Sequence, residues 1–158
     1  MKAEYVNPFI TAAGQAFSTM LDCQIRREGL SLKDNASPSH EISGVIGLSG
    51  RAAGTVVLSF SESLALKAAG TMLMTEYTEV NGDVIDAVGE LANMVAGAAK
   101  AQLEELQLSI SLPNVITGKG HVVRFPSSVN PICVTFATDW GPFTLEVGLE
   151  PVAEPVPA

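Results

Sequence analysis

Three side chains able to take part in proton or phosphoryl chemistry stand at helical spacing in the stretch Asp86-Ala87-Val88-Gly89-Glu90-Leu91-Ala92-Asn93. On a wheel of roughly 100° per residue, Asp86, Glu90, Asn93 and Gly97 fall within a fan of about 60°. Val84, Val88, Leu91, Ala92, Val95 and Leu106 gather on the opposite side. The segment therefore predicts a helix that buries one face and offers two carboxylates and an amide on the other. A carboxylate can pair with a cation, and an amide both donates and accepts, so Asn93 could hold a water in line without acting as a base. Gly89 and Gly97 flank the polar line. An interior glycine costs up to about 1 kcal/mol against alanine in an exposed helix. Two of them beside a polar stripe predict that something approaches this surface closely. Acidic residues are ordinary on a solvated helix face, and Asp86 in a first turn also complements the helix dipole, so the stripe alone assigns no activity.

Other residues with chemical potential lack partners at useful spacing. His40 falls in a loop and His121 follows a Gly-Lys-Gly turn, neither in a spacing that builds a zinc site or a nucleophile–base pair, so both read as surface histidines. Gly118-Lys119-Gly120 lacks a Walker A frame and reads as a hairpin turn. The serines between Ser37 and Ser43 contain no G-x-S-x-G elbow. Cys23 and Cys133 belong to no CxxC or Cys/His pattern and read as buried free thiols in strands. Trp140, at a hairpin tip, is either a core plug or an interface anchor.

The elements that must position the polar line follow from capping and periodicity. Asn7-Pro8 marks a helix start, with a first helix from Pro8 to about Asp22. Strands follow: residues 24–32 as one strand or a broken one, then Glu41–Leu48 and Gly54–Phe60 as a hairpin around Ser49-Gly50-Arg51. Residues 33–39 form a polar loop between them. Ser61 caps a shorter helix reaching about Met74. The helix with the polar line is capped by Asp83 and runs to about Gln107. A strand pair is expected at Ser109–Gly118 and His121–Phe125, and a last hairpin at Ile132–Thr138 and Phe143–Leu149. The tail from 151 to 158 carries three prolines and should be loose.

The two halves share a pattern. Phe9-Ile10-Thr11-Ala12-Ala13-Gly14-Gln15-Ala16-Phe17-Ser18 matches Val84-Ile85-Asp86-Ala87-Val88-Gly89-Glu90-Leu91-Ala92-Asn93 in polar and apolar order. Each helix is followed by strands ending in a hairpin. The fold class expected is α+β: a pseudo-duplicated helix-plus-strands domain over residues 1–150, its antiparallel sheet packed against two long helices.

Bulk properties narrow the function. A chain of 158 residues with 47% hydrophobic and 16% charged residues fits one domain with a substantial core. A formal net charge of −8 excludes nucleic acid and anionic membrane surfaces as expected partners. No apolar stretch spans a bilayer, and Met1-Lys2 leads into polar residues and Pro8 rather than a signal peptide, so a cytoplasmic location is expected.

The segment Asp86 to Gly97 resembles the D/S-x-x-x-E-x-x-N-x-x-x-G signature of the CheC/CheX/FliY chemotaxis phosphatases. Tyr5-Val6-Asn7-Pro8-Phe9-Ile10 is similar to the N-terminal helix entry of CheX-like chains, and the likeness spans roughly residues 4–150. The resemblance implies a phosphatase acting on the aspartyl phosphate of a CheY-like response-regulator receiver domain. Glu90 would pair with the receiver's lysine and Asn93 would orient the attacking water, with Asp86, Gly89 and Gly97 in the partner contact. It implies no cofactor of the chain's own, with Mg²⁺ expected on the receiver, and a homodimer. On the first helix the matching line is Thr11, Gln15 and Ser18, which lacks the acid and amide, so a single CheX-like site is expected. The rival reading is a non-catalytic CheX-like module or scaffold that docks on a receiver or flagellar-switch partner.

Overall fold

The computed structural model describes residues 1–34 and 39–153. Its first helix, α1 (Ala3–Leu21), starts before the Asn7-Pro8 signal, so Asn7 is not the cap and Pro8 lies inside the helix. Pro8 forfeits one backbone bond close to the helix start. Burial of Tyr5 and Val6 in the added turn offsets that loss, at about 1.5–3 kcal/mol per large apolar side chain. The chain then forms β1 (Arg26–Leu32), β2 (Ile42–Ser49) and β3 (Ala52–Phe60). β1 is one strand with a register shift between Arg27 and Gly29. The β2–β3 hairpin turns where expected, and the polar loop lies largely in 35–38, outside the described residues.

Next come α2 (Glu62–Leu73), capped by Ser61 as expected, and α3 (Gly82–Ala101). The cap of α3 is Asn81 rather than Asp83: Asn81 Oδ1 accepts the Val84 N–H at 3.1 Å. Asp83 instead accepts the Tyr77 hydroxyl at 2.9 Å. The helix also stops short of Gln107, giving way to a 3-10 turn at Glu104–Leu106. There the Leu106 carbonyl accepts the Arg51 N–H of the β2–β3 turn at 2.8 Å.

The expected strand pair after α3 does not form. β4 (Ser109–Ile110) and β5 (Asn114–Thr117) each pair with β2 instead. His121–Phe125 is not a strand, and Gly118-Lys119-Gly120 is not a hairpin turn. Gly118 and Gly120, at φ +125° and +79°, steer the chain off the sheet edge. It then crosses the face away from the helices, where Phe125 packs against Gly148. Pro126 and Pro131 deny that segment regular ladder donors. β6 (Ile132–Ala137) and β7 (Phe143–Pro151) form the last hairpin. Pro151 still pairs with Ala52, and the Val152 N–H donates to Arg51 O at 2.8 Å, so the tail's start is held; 154–158 lies outside the described residues.

Among the described residues the sheet has seven antiparallel strands in the order β1-β6-β7-β3-β2-β4, with β5 also on β2. This order makes the duplication visible. The units α1-β1-β2-β3 and α3-β5-β6-β7 each place two strands in the middle, and each lends its first strand to the other half's edge. β3 and β7 form the central pair. Phe143, Leu145, Val147 and Leu149 of β7 point into the core beneath the helices, which lie side by side on that face. Phe17 ties α1 down by stacking on Phe143 with 4.6 Å between ring centroids.

Candidate functional site

Helix α3 is fixed from behind. Val84, Val88, Leu91, Ala92, Val95 and Ala99 are buried against the sheet and neighbouring helices. Gly44 of β2 lets the helix come close: a Cβ there would lie 2.8 Å from the Ala92 Cβ. With its buried stripe so held, the helix turns Asp86 and Glu90 to solvent and leaves Asn93 half-buried. No hydrogen bond or ion pair to another described side chain engages any of the three. Glu90 and Asn93 are three residues apart, hence neighbours on the helix surface, about 5–6 Å between Cβ atoms. One incoming group can meet both.

The two glycines of the line differ. Gly89 is buried, and a Cβ there would meet Pro113 Cγ at 3.4 Å and Val115 Cγ2 at 3.5 Å. What lies against Gly89 is the chain's own β4–β5 connection together with Val115 of β5, at ordinary van der Waals distance. Nothing in the sequence marks that contact, since it joins segments remote along the chain. Around Gly97 there is open space, with no heavy atom within 4 Å of a Cβ. It borders a cleft of about 480 Å³ shared with Lys100, Leu103, Leu108 and Ile110.

The matching line on α1 is also in solvent: Thr11, Gln15 and Ser18 are exposed, around a shallow hollow bounded by Ile25, Arg27 and Phe136. The frame is duplicated and the acid–amide pair is not.

A second set of polar residues, around Ser43, Ser59, His121, Lys33 and Glu146, lies on the opposite face of the sheet. His121 is not a free surface residue: its Nε2 lies 2.8 Å from Ser43 Oγ and its Nδ1 2.7 Å from the Gly118 carbonyl. Ser43 Oγ in turn donates to Ser59 Oγ at 2.9 Å. Lys33 and Glu146 form an ion pair with both side chains only 4% exposed. Burial pushes the Glu146 carboxyl up, against the lowering influence of Lys33 and His121. His40 is half-buried, and burial pushes its imidazole down. Cys23 is buried in the link after α1 rather than in a strand, and Cys133 is half-buried in β6; both are free and burial raises both thiols. Trp140 is partly buried and packs on the core. Among the described residues, no three His, Cys, Asp or Glu side chains converge where they could hold a metal, and no helix is long and apolar enough to cross a membrane.

The family model described as chemotaxis phosphatase CheX matches residues 42–137. A relative from Thermotoga maritima, described as the CheY-P phosphatase CheX, is 30% identical over 139 residues, covering 82% of this chain and 90% of its own. The solved structure of the chemotaxis protein CheX from Vibrio vulnificus is 32% identical with a TM-score of 0.87, covering 94% of this chain and all (100%) of that one. The fold likeness extends to the CheX of a CheX–CheY–BeF3–Mg complex from Borrelia burgdorferi, at 21% identity and a TM-score of 0.77, with 94% and 99% of the chains covered.

Proposed function

Since the chain belongs to the chemotaxis phosphatase CheX family, we propose that it hydrolyses the aspartyl phosphate of a CheY-like receiver domain through Glu90 and Asn93. The observation that carries the reading is the pair itself, one turn apart on the outward line of a helix whose other face is locked in the core. Dephosphorylation of an acyl phosphate needs an attacking water in line and compensation of charge, and much of that is positioning. The Asn93 amide holds the water by accepting from it and donating to its oxygen or to a phosphoryl oxygen. Glu90 pairs with the receiver's lysine and sets the depth of approach. Asp86, one turn before Glu90, meets the rim of the receiver, and the open space at Gly97 receives its surface at the other end of the line. The Mg²⁺ that neutralises phosphoryl charge belongs to the receiver. The chain acts in the cytoplasm, as a homodimer; the free edge of β1, with exposed Leu30 and Leu32, is the surface that supports pairing.

The test uses a CheY-like receiver charged with acetyl phosphate, following loss of phosphate. Asn93→Ala should lower turnover by roughly 100-fold, as misplacement of a reacting water does, while its binding to a beryllofluoride-loaded receiver stays within a few-fold of wild type. Undiminished dephosphorylation by that variant would refute the mechanism. Tight binding by the wild-type chain without turnover would make it a docking module instead.

A further inference from the structure

Leu112 is 86% exposed, yet its backbone is tied on both sides. The Gly47 N–H donates to Ser111 Oγ at 2.8 Å, the Ser111 N–H donates to the Gly47 carbonyl at 2.9 Å, and Ser111 Oγ donates to the Leu112 carbonyl at 2.9 Å. Immediately after it, Pro113 stands against α3 at Gly89. The flanking strands β4 and β5 are both paired with β2. An isolated exposed leucine is ordinary. This one differs in being held out on a clamped turn, so burying it in a partner would cost little ordering entropy.

Its place matters as much as its rigidity. Gly89 is three residues after Asp86 and four before Asn93, so Pro113 borders the side of α3 that carries both. The turn that carries Leu112 therefore lies beside the polar line, and an exposed apolar residue next to a polar margin is how an anchor and its rim are arranged in protein interfaces.

We propose that Leu112 is a docking anchor for the receiver: it seats in an apolar spot on that domain's surface and holds the receiver against the face that carries Glu90 and Asn93. The proposal rests on the reading of α3 as a receiver-directed phosphatase site. The occupant is the receiver because the turn is continuous, through Pro113, with the face that reading assigns to it. The other exposed leucines of the sheet, Leu30 and Leu32, lie on β1 at the far edge. Leu112 touches no reacting atom.

Leu112→Ala and Leu112→Ser are compared with the wild-type chain on an acetyl-phosphate-charged CheY-like receiver. Because the side chain packs on little of its own protein, both variants should melt with the wild type. KM should rise roughly tenfold, the loss of one buried apolar anchor, with kcat within twofold. Adding Leu112→Ala to Asn93→Ala should weaken binding of the beryllofluoride-loaded receiver by the same factor. Unchanged KM and unchanged binding in both variants overturn the proposal. So does a smaller species on sedimentation with KM unaltered, which would assign the leucine to a contact between copies. Failure of the wild-type chain to turn over phosphate counts against the phosphatase reading alone; the binding titration then decides Leu112.

Discussion

Glu90 and Asn93 divide the proposed work, and the division can be measured. Glu90 is exposed, where its charge is useful for meeting a cation on the partner, whereas Asn93 is half-buried and better shielded. Glu90→Gln keeps the shape and removes the charge. It should raise KM for the phosphorylated receiver roughly tenfold, as expected for one charge-assisted contact, and leave kcat nearly unchanged in initial-rate measurements. An equal fall in kcat at constant KM would place Glu90 at the reacting atoms instead. The identity and spacing of this pair were legible in the sequence because a helix of known period maps spacing onto a face. The difference between Gly89 and Gly97 was not legible. A glycine looks the same in sequence whether it faces solvent or the ring of Pro113.

At the scale of elements, the line is aimed by how α3 sits on β2. The contact at Gly44 admits the helix only because there is no side chain; a Cβ would stand 2.8 Å from Ala92 Cβ and 3.5 Å from the Val88 carbonyl. Gly44→Ala should therefore lift or tilt α3 and cost about 1–3 kcal/mol, the usual effect of overpacking, read as a lower midpoint in urea. Its turnover should fall as well, since the helix carries the pair. A wild-type midpoint would show that the helix can shift without strain. Helix existence and two of the three expected strand pairs were readable from periodicity, capping and turn residues; the pair expected at Ser109–Gly118 and His121–Phe125 was not. Element ends were less so: α1 starts before Pro8, with Tyr5 and Val6 of its first turns buried in the core, and α3 stops at Ala101 rather than near Gln107. The start of α1 depends on burial against segments distant in sequence.

For the whole molecule, the sheet face away from the helices is covered by the segment leading from β5 to β6, and polar pairs are sealed beneath it. Lys33 and Glu146 are the charged pair there. Removing one member of a buried pair leaves an uncompensated charge and costs about 3–5 kcal/mol. Lys33→Met should show this at pH 8. The Glu146 carboxyl is already raised by burial and would rise further without Lys33. A group raised in the folded state stabilises below its unfolded value and loses that contribution as pH rises through its folded value. The deficit of Lys33→Met should accordingly shrink from pH 8 to pH 5, measured as the difference in unfolding free energy from the wild type. A deficit independent of pH would mean that Glu146 does not titrate in that window.

The sequence by itself determined the α+β class, the repeated helix-plus-strands pattern and the outward placement of Asp86, Glu90 and Asn93. Each is a local matter of period, cap and turn, and the family likeness could be stated on the same residues. Only the tertiary structure decided that each half lends its first strand to the other's edge and that His121 is tied to Ser43. It also decided that the β4–β5 turn closes against Gly89 and leaves Leu112 in solvent beside the acid–amide line. These are pairings between segments far apart in the chain. Which strand edge or helix flank is left for them depends on packing that no local pattern encodes.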